Sequence, residues 1–264
     1  MKTFLLELKR GVLTTIIWLT TITAFTWVYF TMFETLSSDM LVHILADFPE
    51  EFLKAFGMDT DFTTVLGYFS MLGLYLVLFG AIFAANLGLH AVLPEEMERT
   101  ADFLLTKPII RSKLLTQKIL ADLIHLILFA TTIGLSNYLF IRLYTGGLAF
   151  EIHSYLIMIF GIFLMEGLFF SLGLLISMLV KQLDSPLSVS VGLSVGCYIL
   201  ATFNTILDET FLGYIVPFSY VKFTYIAETG SMRSYGLVIS LIVIVFSIAA
   251  SYLLYERRNI ASAT

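Results

Sequence analysis

Six stretches of the chain, near residues 12–33, 63–93, 114–142, 152–180, 187–207 and 235–255, are apolar over about 20 residues or more. A helix needs roughly 20 residues to cross about 30 Å of hydrocarbon. No soluble core of this size could bury six such runs, and only 13% of the residues are charged against 58% hydrophobic. The runs lack the in/out alternation of barrel strands. The expected fold is therefore an all-α membrane protein with six transmembrane helices. No repeat, low-complexity tract or linker divides the 264 residues, so residues 1–264 are expected to form a single transmembrane domain.

Lysine and arginine placement orients the spans, because basic loops stay on the cytoplasmic side. With six spans both termini share one side. That side holds eleven basic residues: Lys2, Lys9, Arg10, Arg99, Lys107, Arg111, Lys113, Lys118, Lys181, Arg257 and Arg258. The other side holds four: Lys54, Arg142, Lys222 and Arg233. The termini and the 94–113 insert are thus expected in the cytoplasm. The net charge of −5 reflects acids clustered in the outer loops, and no basic stripe exists for a nucleic acid to follow. Cys197, the lone cysteine, excludes an internal disulfide and reads as a packing residue.

The N-terminal segment carries charges as far as Arg10 before about 22 apolar residues that include Trp18 and Trp27. That run exceeds a signal-peptide core, so a retained first span is expected. Phe4, Leu5, Leu8 and Val12 recur at helical spacing opposite Lys2, Glu7, Lys9 and Arg10, which predicts a short amphipathic interfacial helix ahead of that span. In the first outer loop Ser38 is expected to cap a helix bearing Leu41, Ile44 and Leu45. Asp47 is expected to cap a second, with Pro49 in its first turn, Phe52, Leu53 and Phe56 on one side and Gly57 at its end.

Small residues recur every four positions at Gly80, Ala84 and Gly88 in span two and at Ser188, Gly192 and Gly196 in span five. Such faces let backbones approach where lipid supplies no hydrophobic drive. They serve either packing within this chain or a two-fold seam with a second copy. Polar groups are scarce inside the spans. Glu166 lies deep in span four, where a carboxyl must be neutral, bonded to a neighbouring span or open to a wet cavity. It acts as glue between spans, serves the cargo path or coupling, or is simply tolerated. Asn86, His90, Lys118, Asp122 and His125 occupy the facing ends of spans two and three, which are expected to protrude into headgroups or water. Lys118, Asp122 and His125 there read as an interfacial charge cluster.

The most punctuated segment, "PEEMERTADFLLTKPIIRSK" (94–113), separates spans two and three. Pro94 stops span two. Glu95, Glu96 and Glu98 then make an acidic first turn that suits the positive end of a helix dipole. Met97, Ala101, Leu104 and Leu105 form an apolar edge, with Glu98, Arg99 and Asp102 elsewhere, and Pro108 ends the helix. One reading is a positive-inside loop with interfacial leucines. The other is a platform that a soluble partner holds and pushes.

The residue pattern resembles the signature after the second span of ABC-2 family permeases, the membrane subunits of ATP-driven exporters. That signature runs acid, Gly-Thr, acid, Leu-Leu, Pro, Arg and Lys. Glu98, Thr100, Asp102, Leu104, Leu105, Pro108, Arg111 and Lys118 occupy its places, with Arg99 where the family has glycine. "YERRNI" (255–260) is similar to the family's closing pattern, with Asn259 for the usual acid, and "VPFSY" (216–220) to its last outer loop.

The resemblance implies that 94–113 is a coupling helix docking in a separate ATPase. It implies a complex of two ATPases with two permeases, either two copies or a homologous pair, in the plasma membrane of a prokaryote. ATP and Mg would sit on the ATPase, and this chain would bind no cofactor. No GxxxxGK[ST] occurs here, so a phosphate cradle must come from another chain. The cargo class implied is an amphipathic, peptide, drug or lipid-like molecule.

Two other classes compete. A non-transporting membrane subunit would pass ATPase motion to an outer partner through the 34–62 loop. An intramembrane enzyme is disfavoured because "EEMER" lacks the EExxxR spacing of membrane CAAX-type proteases. His43, His90, His125 and His153 are also too scattered for a catalytic zinc.

Overall fold

The computed structural model describes residues 2–38, 44, 47–55, 61–92, 111–180, 183–207 and 210–257. Helices account for the regular structure, with no strand among the described residues. In chain order they are α1 (Lys2–Thr31), α2 (Phe33–Leu36), α3 (Glu50–Ala55), α4 (Val65–His90), α5 (Arg111–Tyr144), α6 (Ile152–Leu179), α7 (Pro186–Leu207), α8 (Thr210–Ile215), α9 (Phe223–Thr229) and α10 (Ser234–Arg257). A 3₁₀ turn at Pro217–Ser219 precedes α9.

α1, α4, α5, α6, α7 and α10 are each long and apolar enough to cross a membrane. They coincide with the six expected runs to within three residues, except that α1 begins ten residues ahead of its run. Thr64 starts α4 by accepting the Gly67 amide at 3.1 Å, a cap that satisfies one orphan donor of the first turn.

α4 and α6 form the core and run parallel. Phe69 meets Tyr155 near their first turns, with ring centroids 5.2 Å apart, and Gly80 meets Glu166 midway. Towards their ends a side chain on Gly88 would strike the Phe170 carbonyl, and one on Gly173 the Ala85 carbonyl. Backbones touch there because neither helix carries a Cβ at the crossing. For span two, then, the small-residue face packs within the chain. Span five differs: a Cβ on Gly192 or Gly196 would meet nothing within 4 Å, and Ser188 is exposed. Packing against the described residues does not account for that face.

α1 lies beside α5 in the same direction. Trp27 donates its indole N–H to the Tyr144 hydroxyl at 2.7 Å at one end, and Glu7 meets Lys118 at the other. The expected interfacial helix is not set off from the first span, because Lys2–Thr31 is one continuous helix of 30 residues. No proline interrupts it, and its first three turns are held along α5 instead of turning across the membrane surface.

In the first loop α3 begins at Glu50, after Pro49, whose carbonyl accepts from Phe52 and Leu53; the proline thus stands just ahead of the helix instead of inside its first turn, and Asp47 lies too far back to be its cap. Ser38 bonds back to the Thr35 carbonyl at 2.8 Å. Leu41, Leu45, Phe56 and Gly57 lie outside the described residues.

Candidate functional site: the helix junction at the terminal end

The start of α1, the start of α5 and the end of α10 meet at one end of the bundle. Two residues of the charged signature sit in this junction. Arg111, in the first turn of α5, donates through Nη1 to the Glu256 carbonyl of α10 at 3.3 Å. One turn on, the Thr116 and Tyr252 hydroxyls are 2.7 Å apart, and Tyr255 is buried. The signature thus touches the closing "YERRNI" pattern, of which residues 255–257 are described.

Lys118 points the other way, into α1, and is only 1% exposed. Its ammonium donates to Glu7 Oε1 at 2.9 Å. A buried charge left without its counterion costs about 3–5 kcal/mol, so this pair fixes the register of α1 on α5. Asp122, one turn further along α5, shares the electrostatic neighbourhood of Glu7 and Lys118.

His125 completes the seam. Its Nε2 lies 3.1 Å from the Leu8 carbonyl and its Nδ1 2.9 Å from Thr15 Oγ1. The carbonyl can only accept, so Nε2 carries a proton; the single Thr15 hydroxyl proton lies between Nδ1 and the Gly11 carbonyl, which is 2.9 Å from Thr15 Oγ1. Gly11 makes the approach possible, since a Cβ there would collide with the imidazole.

These polar side chains do not protrude into water as their positions near span ends suggest. Lys118 and His125 are buried because α1 lies over them, and Asn86 is buried too; His90 is exposed and bonds back to the Asn86 carbonyl at 2.9 Å. Periodicity places the α5 residues on one face but carries no signal for partners more than 100 positions away. Glu7 and Thr15 were for that reason missed as members of the site.

Of the remaining insert residues, Glu95, Glu96, Glu98, Arg99, Thr100, Asp102, Leu104, Leu105 and Pro108 lie outside the described residues. Far from this junction, Glu166 is fully buried, and neither carboxyl oxygen has a hydrogen-bond partner among the described residues. A methyl in place of the Gly80 hydrogen would stand 3.3 Å from Glu166 Cγ and 3.5 Å from the Phe129 ring. Gly80 is the space that Glu166 occupies. The "VPFSY" segment closes the opposite end: Phe218 and Tyr220 are buried, the Tyr220 hydroxyl donates to the Tyr214 carbonyl at 2.8 Å, and burial pushes that phenol above its usual range.

Six spanning helices, four of them beside a parallel α4/α6 pair, with Arg111 and Lys118 of the signature joined to the last and first spans, define a multi-pass membrane protein. Residues 4–260 match the family model described as ABC-2 family transporter protein. The chain belongs to that family and is the permease subunit of an ABC transporter, a membrane component whose family implies an ATPase partner. No curated protein sequence matches it.

Proposed function

We propose that this permease belongs to an exporter, and that a separate ATPase drives it by pushing residues 94–113 from the cytoplasm. The observation that carries this reading is the junction just described. Arg111 and Lys118, at the insert's exit and two turns beyond, tie α5 to α10 and α1. A displacement of the insert reaches α5, a helix of 34 residues and so about 51 Å long. Through the Glu7–Lys118 pair and the His125 bonds α1 must move with it.

In this reading ATP and Mg are held by two ATPase copies, which act on a pair of permeases. The open small-residue face of α7 supports a second copy as the neighbour. The termini face the cytoplasm of a prokaryotic cell, and the cargo is an amphipathic, peptide, drug or lipid-like molecule moved outward.

The test is reconstitution of permease and cognate ATPase in liposomes, with ATP supplied on the ATPase side. ATP-dependent movement of an amphiphilic cargo away from the ATPase is the expected result. Hydrolysis without movement of any cargo would replace this reading with a subunit that relays ATPase motion to an outer partner.

A further inference from the structure

A cavity of about 590 Å³ opens at the end opposite the termini, between α4, α7 and residues 213–224. Its volume falls within the range of small-molecule sites. Three of the four basic residues that this end of the chain carries line it: Lys54, Lys222 and Arg233. The fourth, Arg142, lies instead over the Tyr138 and Phe150 rings, 5.3 and 5.5 Å from their centroids. No aspartate or glutamate is among the described lining residues, although acids outnumber bases in the loops of this end. The bases of this end are thus gathered at one place.

The wall is pre-organised. Arg233 stacks over Tyr225 at 4.9 Å and donates to the Tyr235 hydroxyl at 3.0 Å. Tyr235 packs on Tyr214, with ring centroids 5.0 Å apart. Deeper in, Leu74, Val77 and Phe218 supply apolar lining. Cations set in low-dielectric walls focus a positive potential far more strongly than the same charges on an open surface.

We propose that this cavity binds an anionic amphiphile, its phosphate or carboxylate head against Lys54, Lys222 and Arg233 and its chain along Leu74, Val77 and Phe218. Such binding needs neither ATPase nor transport. It can fail while the exporter reading stands, and the reverse.

The experiment exposes the full chain in neutral detergent to equimolar phosphatidylglycerol and phosphatidylcholine and weighs the retained lipid by native mass spectrometry. Phosphatidylglycerol is expected to be favoured about tenfold. The triple substitution Lys54→Gln, Lys222→Gln, Arg233→Gln removes that preference, while Lys54→Arg with Lys222→Arg keeps it, and Arg142→Gln leaves it unchanged. Decyl phosphate displaces the lipid, whereas inorganic phosphate at the same concentration does not. Equal retention of both lipids, an unchanged preference in the triple glutamine variant, its loss in the arginine variant, or displacement by inorganic phosphate as effective as by decyl phosphate would overturn the proposal.

Discussion

A carboxyl group with no partner in an apolar interior costs about 1–3 kcal/mol relative to a side chain that asks for none. Glu166 sits in that situation, filling the gap left by Gly80 beside Phe129. Glue between spans requires a bond, and none is present among the described residues. We propose a role in the cargo path or in coupling as the reason to keep an acid there, with simple tolerance as the alternative. Glu166→Leu should therefore leave the purified permease as heat-stable as the parent or raise its Tm by a few degrees, while Glu166→Gln leaves it unchanged. Both should uncouple ATP hydrolysis from export in liposomes. A Glu166→Leu permease that melts lower would return the residue to a structural role, and normal export by both variants would leave it with no role in transport.

Among elements, α4 and α7 carry the same small-residue spacing with opposite surroundings. Gly88 presses on the α6 backbone, whereas Gly192 and Gly196 face open space. Gly88→Leu should overpack the α4/α6 crossing, at a cost of about 1–3 kcal/mol or more, and lower the yield of folded monomer. Gly192→Leu with Gly196→Leu should keep the monomer's Tm and weaken self-association about tenfold, read by cross-linking across a detergent dilution series. Unaltered association would remove α7 from the seam.

The contrast also marks what sequence can reveal about an element. Span limits were legible because hydrocarbon thickness selects apolar length, and Pro49 announced the start of α3. The spacing of glycines says only that a backbone can approach, not which backbone does. The continuity of α1 was hidden for a related reason. Its amphipathic start reads as an interfacial helix, and the contacts that hold it upright, Glu7 to Lys118 and Leu8 to His125, join positions over 100 residues apart. The polar side of α5 was visible; its destination was not.

For the whole molecule, the early turns of α1 and α5 and the last turn of α10 share one end, and from the charge distribution we propose that this end faces the cytoplasm. With Cys197 replaced by serine, Asp47→Cys should react with an impermeant thiol reagent on intact cells. Lys107→Cys should react only after permeabilisation. The reverse labelling would place the insert outside and separate it from any ATPase.

Coupling through residues 94–113 is the claim on which the proposed function depends, and its most direct measurement is recruitment of the cognate ATPase. The apolar edge expected of the insert holds Leu104 and Leu105, and burying a charge there without a counterpart costs several kcal/mol. Leu104→Asp with Leu105→Asp should abolish co-purification of the ATPase and the stimulation of its turnover, with the permease still monodisperse at the parent's Tm. A doubly substituted permease that recruits and stimulates the ATPase as the parent does would contradict coupling through this insert.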